Sequence, residues 1–247
     1  MTNLLLPNKV TWIVDLTKEE DLLFPSKVLH RFVREQYAEH VHIELLDSDK
    51  IESLFSPLYS RLMMSRADFR LDKAVTQAHI HRMSQDSTYG LVWFTGSTSG
   101  AVLGGVVIHM LPDQMRVAYR CFDRDQAQVL RLSELDYYAE AQIQALARQK
   151  GYTKLYLGND HHPVSQLGLS VFKLRVGARP VVSPFAEDVA VEEQALLELA
   201  HVHGLAGYYS DPVDTFYTRF HLYGTEGGVI PTFLTVAKQA GIEVVRQ

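Results

Sequence analysis

The chain has a single cysteine, Cys121, among its 247 residues. One thiol makes no internal disulfide and cannot supply the several thiolates of a cysteine-ligated zinc or iron–sulfur site. Asparagine is almost as scarce: Asn3, Asn8 and Asn159 are the whole set, and none begins an Asn-x-Ser/Thr sequon. Long apolar runs are missing too. The stretch Leu4-Leu5-Leu6 stops at Pro7, far short of a signal-peptide core. The longest apolar stretch, 100–111, contains His109 and is about half the length that crosses a bilayer. These absences lead to the expectation of a cytoplasmic protein with no membrane partner.

What is present is the composition of an ordinary globular chain, 47% apolar and 21% charged, which excludes disorder, collagen and coiled coil. A net charge of −5 argues against a surface built throughout to hold nucleic acid. The charge is uneven, however: residues 51–185 carry +4, while 1–50 carry −3 and 186–247 carry −6. Within the basic stretch, Arg61, Arg66, Arg70 and Lys73 fall in helical sequence, and Arg116, Arg120, Arg124 and Arg131 cross a strand and the segment after it. Such a face is either solvated and balanced by Asp68, Asp72, Asp123 and Asp125, or a seat for an anionic ligand such as a phosphate-bearing donor.

No linker, repeat or low-complexity tract divides the chain. We expect one domain over 1–247, with a core at about 50–185 and extensions at 1–49 and 186–247. Apolar periodicity places a strand at 10–14, helices at 27–37, 48–55, 58–64 and 73–83, and strands at 89–95, 101–110 and 115–122. Pro57 interrupts the helical stretch, and the turns Gly96-Ser97-Thr98-Ser99-Gly100 and Pro112-Asp113-Gln114 make the three strands an antiparallel meander. A long helix follows, capped by Ser133 and ended by Gly151. After it come a strand at 153–157, a helix at 166–173 and a strand at 178–182. The tail reads as a helix at 189–203, an aromatic stretch from Tyr208 to Tyr223, a helix at 231–240 and a strand at 242–245. The fold class is α/β with a mixed sheet, an antiparallel meander, flanking helices and a C-terminal extension.

Residues 168–178, Gly-Leu-Ser-Val-Phe-Lys-Leu-Arg-Val-Gly-Ala, follow the strand Leu155-Tyr156-Leu157-Gly158. The pattern G-L-x-x-F-K-x-x-x-G-A resembles the C-terminal signature of FemAB-like transferases in the GNAT (N-acetyltransferase) superfamily, and the order of elements over about 50–185 is similar to that fold. The resemblance implies amide formation, in which a small amine attacks an activated carbonyl. The donor is a carrier-protein thioester, an acyl-CoA or another acyl donor used as cosubstrate, or an aminoacyl-tRNA, and no cofactor is permanently bound. It associates Lys173, next to Phe172, with the donor site. Acetyl-CoA members carry a Q/R-x-x-G-x-G/A loop whose amides hold the diphosphate. Here the corresponding stretch, 123–132, has no glycine, which leaves Arg120, Arg124 and Arg131 as the charges for a donor.

Amide formation also requires a route for the amine proton and positive charge beside the developing oxyanion. Lys173 suits the second requirement if it faces a cleft, and Lys173→Ala is then expected to keep the fold and lose turnover. Otherwise it is a surface lysine snorkelling from a helix. Asp160 and His161, just after strand 153–157, suit proton acceptance; His161 and His162 before Pro163 also read as a plain loop. Tyr119 is the proton donor to a leaving group, or a packing residue. It alternates with Arg120 across the two faces of a strand. The pairs His40/His42, His79/His81 and His201/His203 lack the carboxylate motif of a metal site, and no metal is expected. The rival to the enzyme is a non-catalytic GNAT-like protein that binds a ligand or partner.

Overall fold

The computed structural model describes residues 3–17, 28, 31–32, 35–66, 72–161, 164, 167–184, 186–203, 205–224 and 229–247. The chain forms two compact units, Met1–Phe24 with Tyr156–Gln247, and Pro25–Leu155. The expected helix at 27–37 lies partly outside the described residues, with 28, 31 and 32 helical; Arg70, His162 and the loop 225–228 also lie outside them.

The first unit begins with strands β1 (Asn3–Pro7) and β2 (Lys9–Asp15). The second unit includes a helical turn at Tyr37–His40 and continues into β3 (Val41–Asp47). Sequence reading gave no strand here, although Val41, Ile43 and Leu45 alternate with polar residues. β3 is an edge strand, open enough that only Val41 is buried, so its apolar signal is weak.

The helical stretch that follows, α1, runs without a break through wide turns at Ile51–Phe55, an α-turn at Ser56–Tyr59 and wide turns again at Ser60–Met64. Pro57 was expected to interrupt it. Proline has no N–H for the usual helical bond and its ring crowds the preceding turn. Widening the turns accommodates it: the Ser56 N–H donates to the Ile51 carbonyl five residues back.

Helix α2 (Lys73–Ser84) is capped by Asp72, whose side chain accepts from the Val75 N–H at 2.9 Å. Strands β4 (Tyr89–Gly96), β5 (Val102–Met110) and β6 (Met115–Phe122) form the meander, with β3 added to the β4 edge. One face of this sheet packs on α1 and α2 through Phe55, Leu58, Ile80, Trp93, Val107 and Cys121. Gly105 permits that approach: a Cβ there would lie 2.8 Å from the Trp93 ring.

Residues 123–132 hold a helix, α3 (Arg124–Val129), capped by the Asp123 carboxylate accepting from Gln126 N–H. Helix α4 (Leu135–Gln149) then runs to Gly151, which adopts φ 82 past its end. Ser133 is not its cap. The Glu134 N–H donates to the Tyr37 hydroxyl at 2.6 Å, while Ser133 Oγ faces Glu35.

The rest of the first unit comprises β7 (Lys154–His161), α5 (Leu167–Arg175), β8 (Ala178–Val182), β9 (Asp188–Glu192), α6 (Glu193–His203), β10 (Ala206–Val213), β11 (Phe216–Tyr223), α7 (Ile230–Gln239) and β12 (Glu243–Arg246). Its sheet runs β10-β11-β8-β2-β7, and β12 joins β11 in parallel while β10 and β8 flank β11 antiparallel, so the sheet is mixed. The helix expected from 189 starts only at Glu193, because 188–192 pair antiparallel with β1 instead. The aromatic stretch is a hairpin whose Tyr209 and Phe220 pack edge-on at 4.7 Å, with Phe233 of α7 beyond at 4.9 Å.

Candidate functional site

Helix α5 buries Leu167, Ser170, Val171 and Leu174, the i, i+3, i+4, i+7 stripe of a helix lying on a core. Lys173 borders that stripe, one turn after Ser170, and is itself 5% exposed. Its Nζ donates to Asp160 Oδ1 at 2.6 Å and sits 5.4 Å from the centre of the Trp12 ring. Asp160 stands near the end of β7, two residues after Gly158, whose φ of 86 is open to glycine alone at little cost. Trp12, on β2, is fully buried and meets Tyr209 edge-on at 5.7 Å. Burial pushes the Tyr209 hydroxyl well above its ordinary range; the nearby Ser170 hydroxyl opposes this and the Asp160 charge adds to it. Beside this group, Thr11 Oγ1 donates to Asn159 Oδ1 at 2.6 Å.

Lys173 is therefore not a snorkelling surface lysine. It is a buried ammonium held against a carboxylate, under an aromatic face that favours a cation. In such surroundings a fixed positive charge acts on a neighbouring oxyanion far more strongly than it would in water. Burial also revises one expectation. Lys173→Ala does not leave the fold untouched, since it strands the Asp160 charge in a low-dielectric interior.

The structure thus brings together Lys173 and Asp160 from the sequence-derived set, and adds Trp12, Ser170 and Tyr209. Phe172 is half-buried beside Lys173 on α5. The backbone of His161 ends β7, and its side chain lies outside the described residues.

Tyr119 and the arginines belong to the second unit. The Tyr119 hydroxyl lies 3.0 Å from His79 Nδ1, and its ring packs edge-on against Tyr59. Burial raises the Tyr119 hydroxyl, partly offset by Arg82; burial and then Arg82 lower His79. This is a reluctant acid hydrogen-bonded to an imidazole kept neutral. Arg120 faces the other side of the sheet and donates at 2.7 Å to Glu140 of α4, a carboxylate with no exposure. That guanidinium neutralises a buried charge. Arg124 is 85% exposed at its side chain and 4.0 Å from Asp136. Together with Arg131 it lines a groove of about 590 Å³.

No protein-family model and no curated protein sequence matches the chain. Solved structures do. FemX superposes with a TM-score of 0.53 at 15% identity, over 77% of this chain and 63% of FemX. The chain has a FemX-like fold. That agrees with the mixed α/β fold expected from the sequence. Other similar structures are a C-terminal domain assigned to a lysylphosphatidylglycerol synthetase from Agrobacterium fabrum and a tandem GNAT protein from the clavulanic acid biosynthesis pathway. The first has a TM-score of 0.46 and 13% identity, over 81% of this chain and 65% of that one. The second has 0.37 and 12%, over 75% and 52%. The chain spans less than two-thirds of the length of each. Among the described residues there is no helix long and apolar enough to cross a membrane, and no group of three or more His, Cys, Asp or Glu placed to hold a metal.

Proposed function

We propose that this chain is an acyl- or aminoacyltransferase that joins an activated carbonyl to a small amine. The observation that carries the reading is the buried Lys173–Asp160 pair beneath Trp12, in a FemX-like fold and at the lysine of the F-K pair. The Asp160 carboxylate holds the ammonium fixed in direction, and that ammonium steadies the oxyanion formed as the amine attacks. Tyr119 is a separate proposal, a proton donor whose hydroxyl His79 holds.

The test offers acyl-CoA, a carrier-protein thioester and aminoacyl-tRNA in turn with a set of amines, and reads amide product by mass spectrometry. The double variant Lys173→Met/Asp160→Asn removes the ammonium without stranding a charge. It is expected to fold and to lose about 10²- to 10³-fold in turnover, the usual cost of one oxyanion donor. Wild-type turnover in that folded variant removes Lys173 from the chemistry. If tRNA is the donor, affinity falls steeply with salt.

One observation favours a second reading, a non-catalytic binding protein: residues 124–129 are helix where a donor-binding loop would expose its amides. Thermal stabilisation by a donor with no amide product would select it.

A further inference from the structure

The groove in the second unit lies where an acetyl-CoA enzyme of this fold would hold a diphosphate, between the end of β6 and the start of α4. Its residues do not fit that group. A diphosphate cradle needs unpaired backbone N–H groups converging on one point. Here several amides of the connecting segment are already spent: Gln126 N–H goes to the Asp123 carboxylate, Leu130 to the Gln126 carbonyl, Arg131 to Gln128, Leu132 to Ala127 and Glu134 to the Tyr37 hydroxyl. The charge does not fit either. Arg124 and Arg131 line the groove, but so do Glu35 and Asp136, so a polyanion meets no net positive field.

Two guanidiniums and two carboxylates around one hollow match a ligand that carries both signs. Phe122, Leu132 and Leu135 give the same hollow an apolar side, and about 590 Å³ is within the usual range for small-molecule sites. Arg131 ends α3 as its left-handed C′ residue at φ 57, with its own N–H on the Gln128 carbonyl and the Leu132 N–H on the Ala127 carbonyl, a position where helices most often place glycine.

We propose that this groove binds a small zwitterion, an amino acid or short peptide, with its carboxylate on Arg131 and its ammonium toward Glu35 and Asp136, and that it does not bind the diphosphate of CoA. The inference concerns binding alone and stands apart from the role of Lys173.

The experiment is ligand-observed NMR on the full chain with L-alanine and L-alanyl-L-alanine at millimolar concentration, which separates a free amino acid from a peptide. At least one is expected to bind saturably. N-acetyl-L-alanine, which lacks the ammonium, and L-alaninamide, which lacks the carboxylate, are each expected to bind about tenfold or more weakly. Acetyl-CoA and inorganic pyrophosphate are expected not to compete with the zwitterion. Arg131→Gly removes the guanidinium and relieves the left-handed backbone, so it should fold at least as well as the parent and lose zwitterion binding. Absence of saturable binding by either zwitterion, binding unchanged in Arg131→Gly, or displacement by acetyl-CoA or pyrophosphate each overturns the proposal. The amide-forming assay reads product rather than binding, so the two readings succeed or fail separately.

Discussion

The Lys173–Asp160 pair allows a stability experiment whose size follows from its burial. The two side chains are 6% and 13% exposed, so removing the ammonium leaves the Asp160 carboxylate buried without its cation, a loss of about 3–5 kcal/mol. Lys173→Met is the suitable perturbation, because it keeps a long apolar stem where the lysine stem runs and deletes only the ammonium. For a chain of this length each kcal/mol moves the melting temperature by about 2–4 °C, so a fall of about 6–20 °C is expected in Lys173→Met. Asp160→Asn should fall in the same direction, while Lys173→Met/Asp160→Asn recovers most of the loss, since neither side then buries an unpaired charge. The assay is thermal unfolding by circular dichroism, run as a double-mutant cycle. An exposed ion pair would show a coupling of about 0–1 kcal/mol. Single variants melting within about 2 °C of the parent, or a double variant no better than the worse single, would refute the view that this lysine is a buried, carboxylate-held cation.

Other predictions follow from local environments. Burial pushes the Cys121 thiol up to about 12, so it should stay unreactive toward disulfide reagents under mildly alkaline conditions and react only when a denaturant opens the fold; rapid native-state labelling would contradict its burial. Burial also lowers His79, His109 and His221 below their ordinary value of 6.5. The folded state then binds fewer protons than the unfolded state, so stability is retained above about pH 6.5 and lost as pH falls through the depressed folded values. A pH series of melting temperatures checks this, and His79→Gln should flatten its acid side. The β10–β11 hairpin turns on Asp214 and Thr215 at φ 49 and 77, a primed two-residue turn made without glycine. Thr215→Gly should therefore stabilise the protein by about 1 kcal/mol, and a fall in denaturation midpoint would show that the threonine earns its place by contacts.

Much of the architecture was legible because periodicity reports burial. The meander alternates cleanly where one face meets α1 and α2, and α4 and α5 carry their apolar stripes at helical spacing. What escaped had weak or conflicting local signals. β3 buries too little to display its period, β9 is exposed over most of its length, and α3 is short and signed only by its Asp123 cap. The Ser133 cap failed for a tertiary reason, since the hydroxyl that meets Glu134 comes from Tyr37, almost a hundred residues earlier. The site divides in the same way. Lys173 was found through the motif around it and Asp160 through its place after a strand. Trp12 and Tyr209, distant in the chain from both, meet them only once the sheet is built; Tyr209 was visible only as part of an aromatic stretch, and nothing local marks Trp12.

The position of β2 between β7 and β8 has a consequence for biogenesis. β2 must wait for its first neighbour until β7 has been synthesised and for its second until β8, while the intervening stretch 25–155 is continuous and can condense first. The emerging polypeptide thus carries an unsatisfied β-strand until then, when non-local partners are slow to find and stray pairing is a hazard. Ribosome stalling or truncation between residue 155 and β8 should release a product with one ordered body and a sticky, incompletely paired strand.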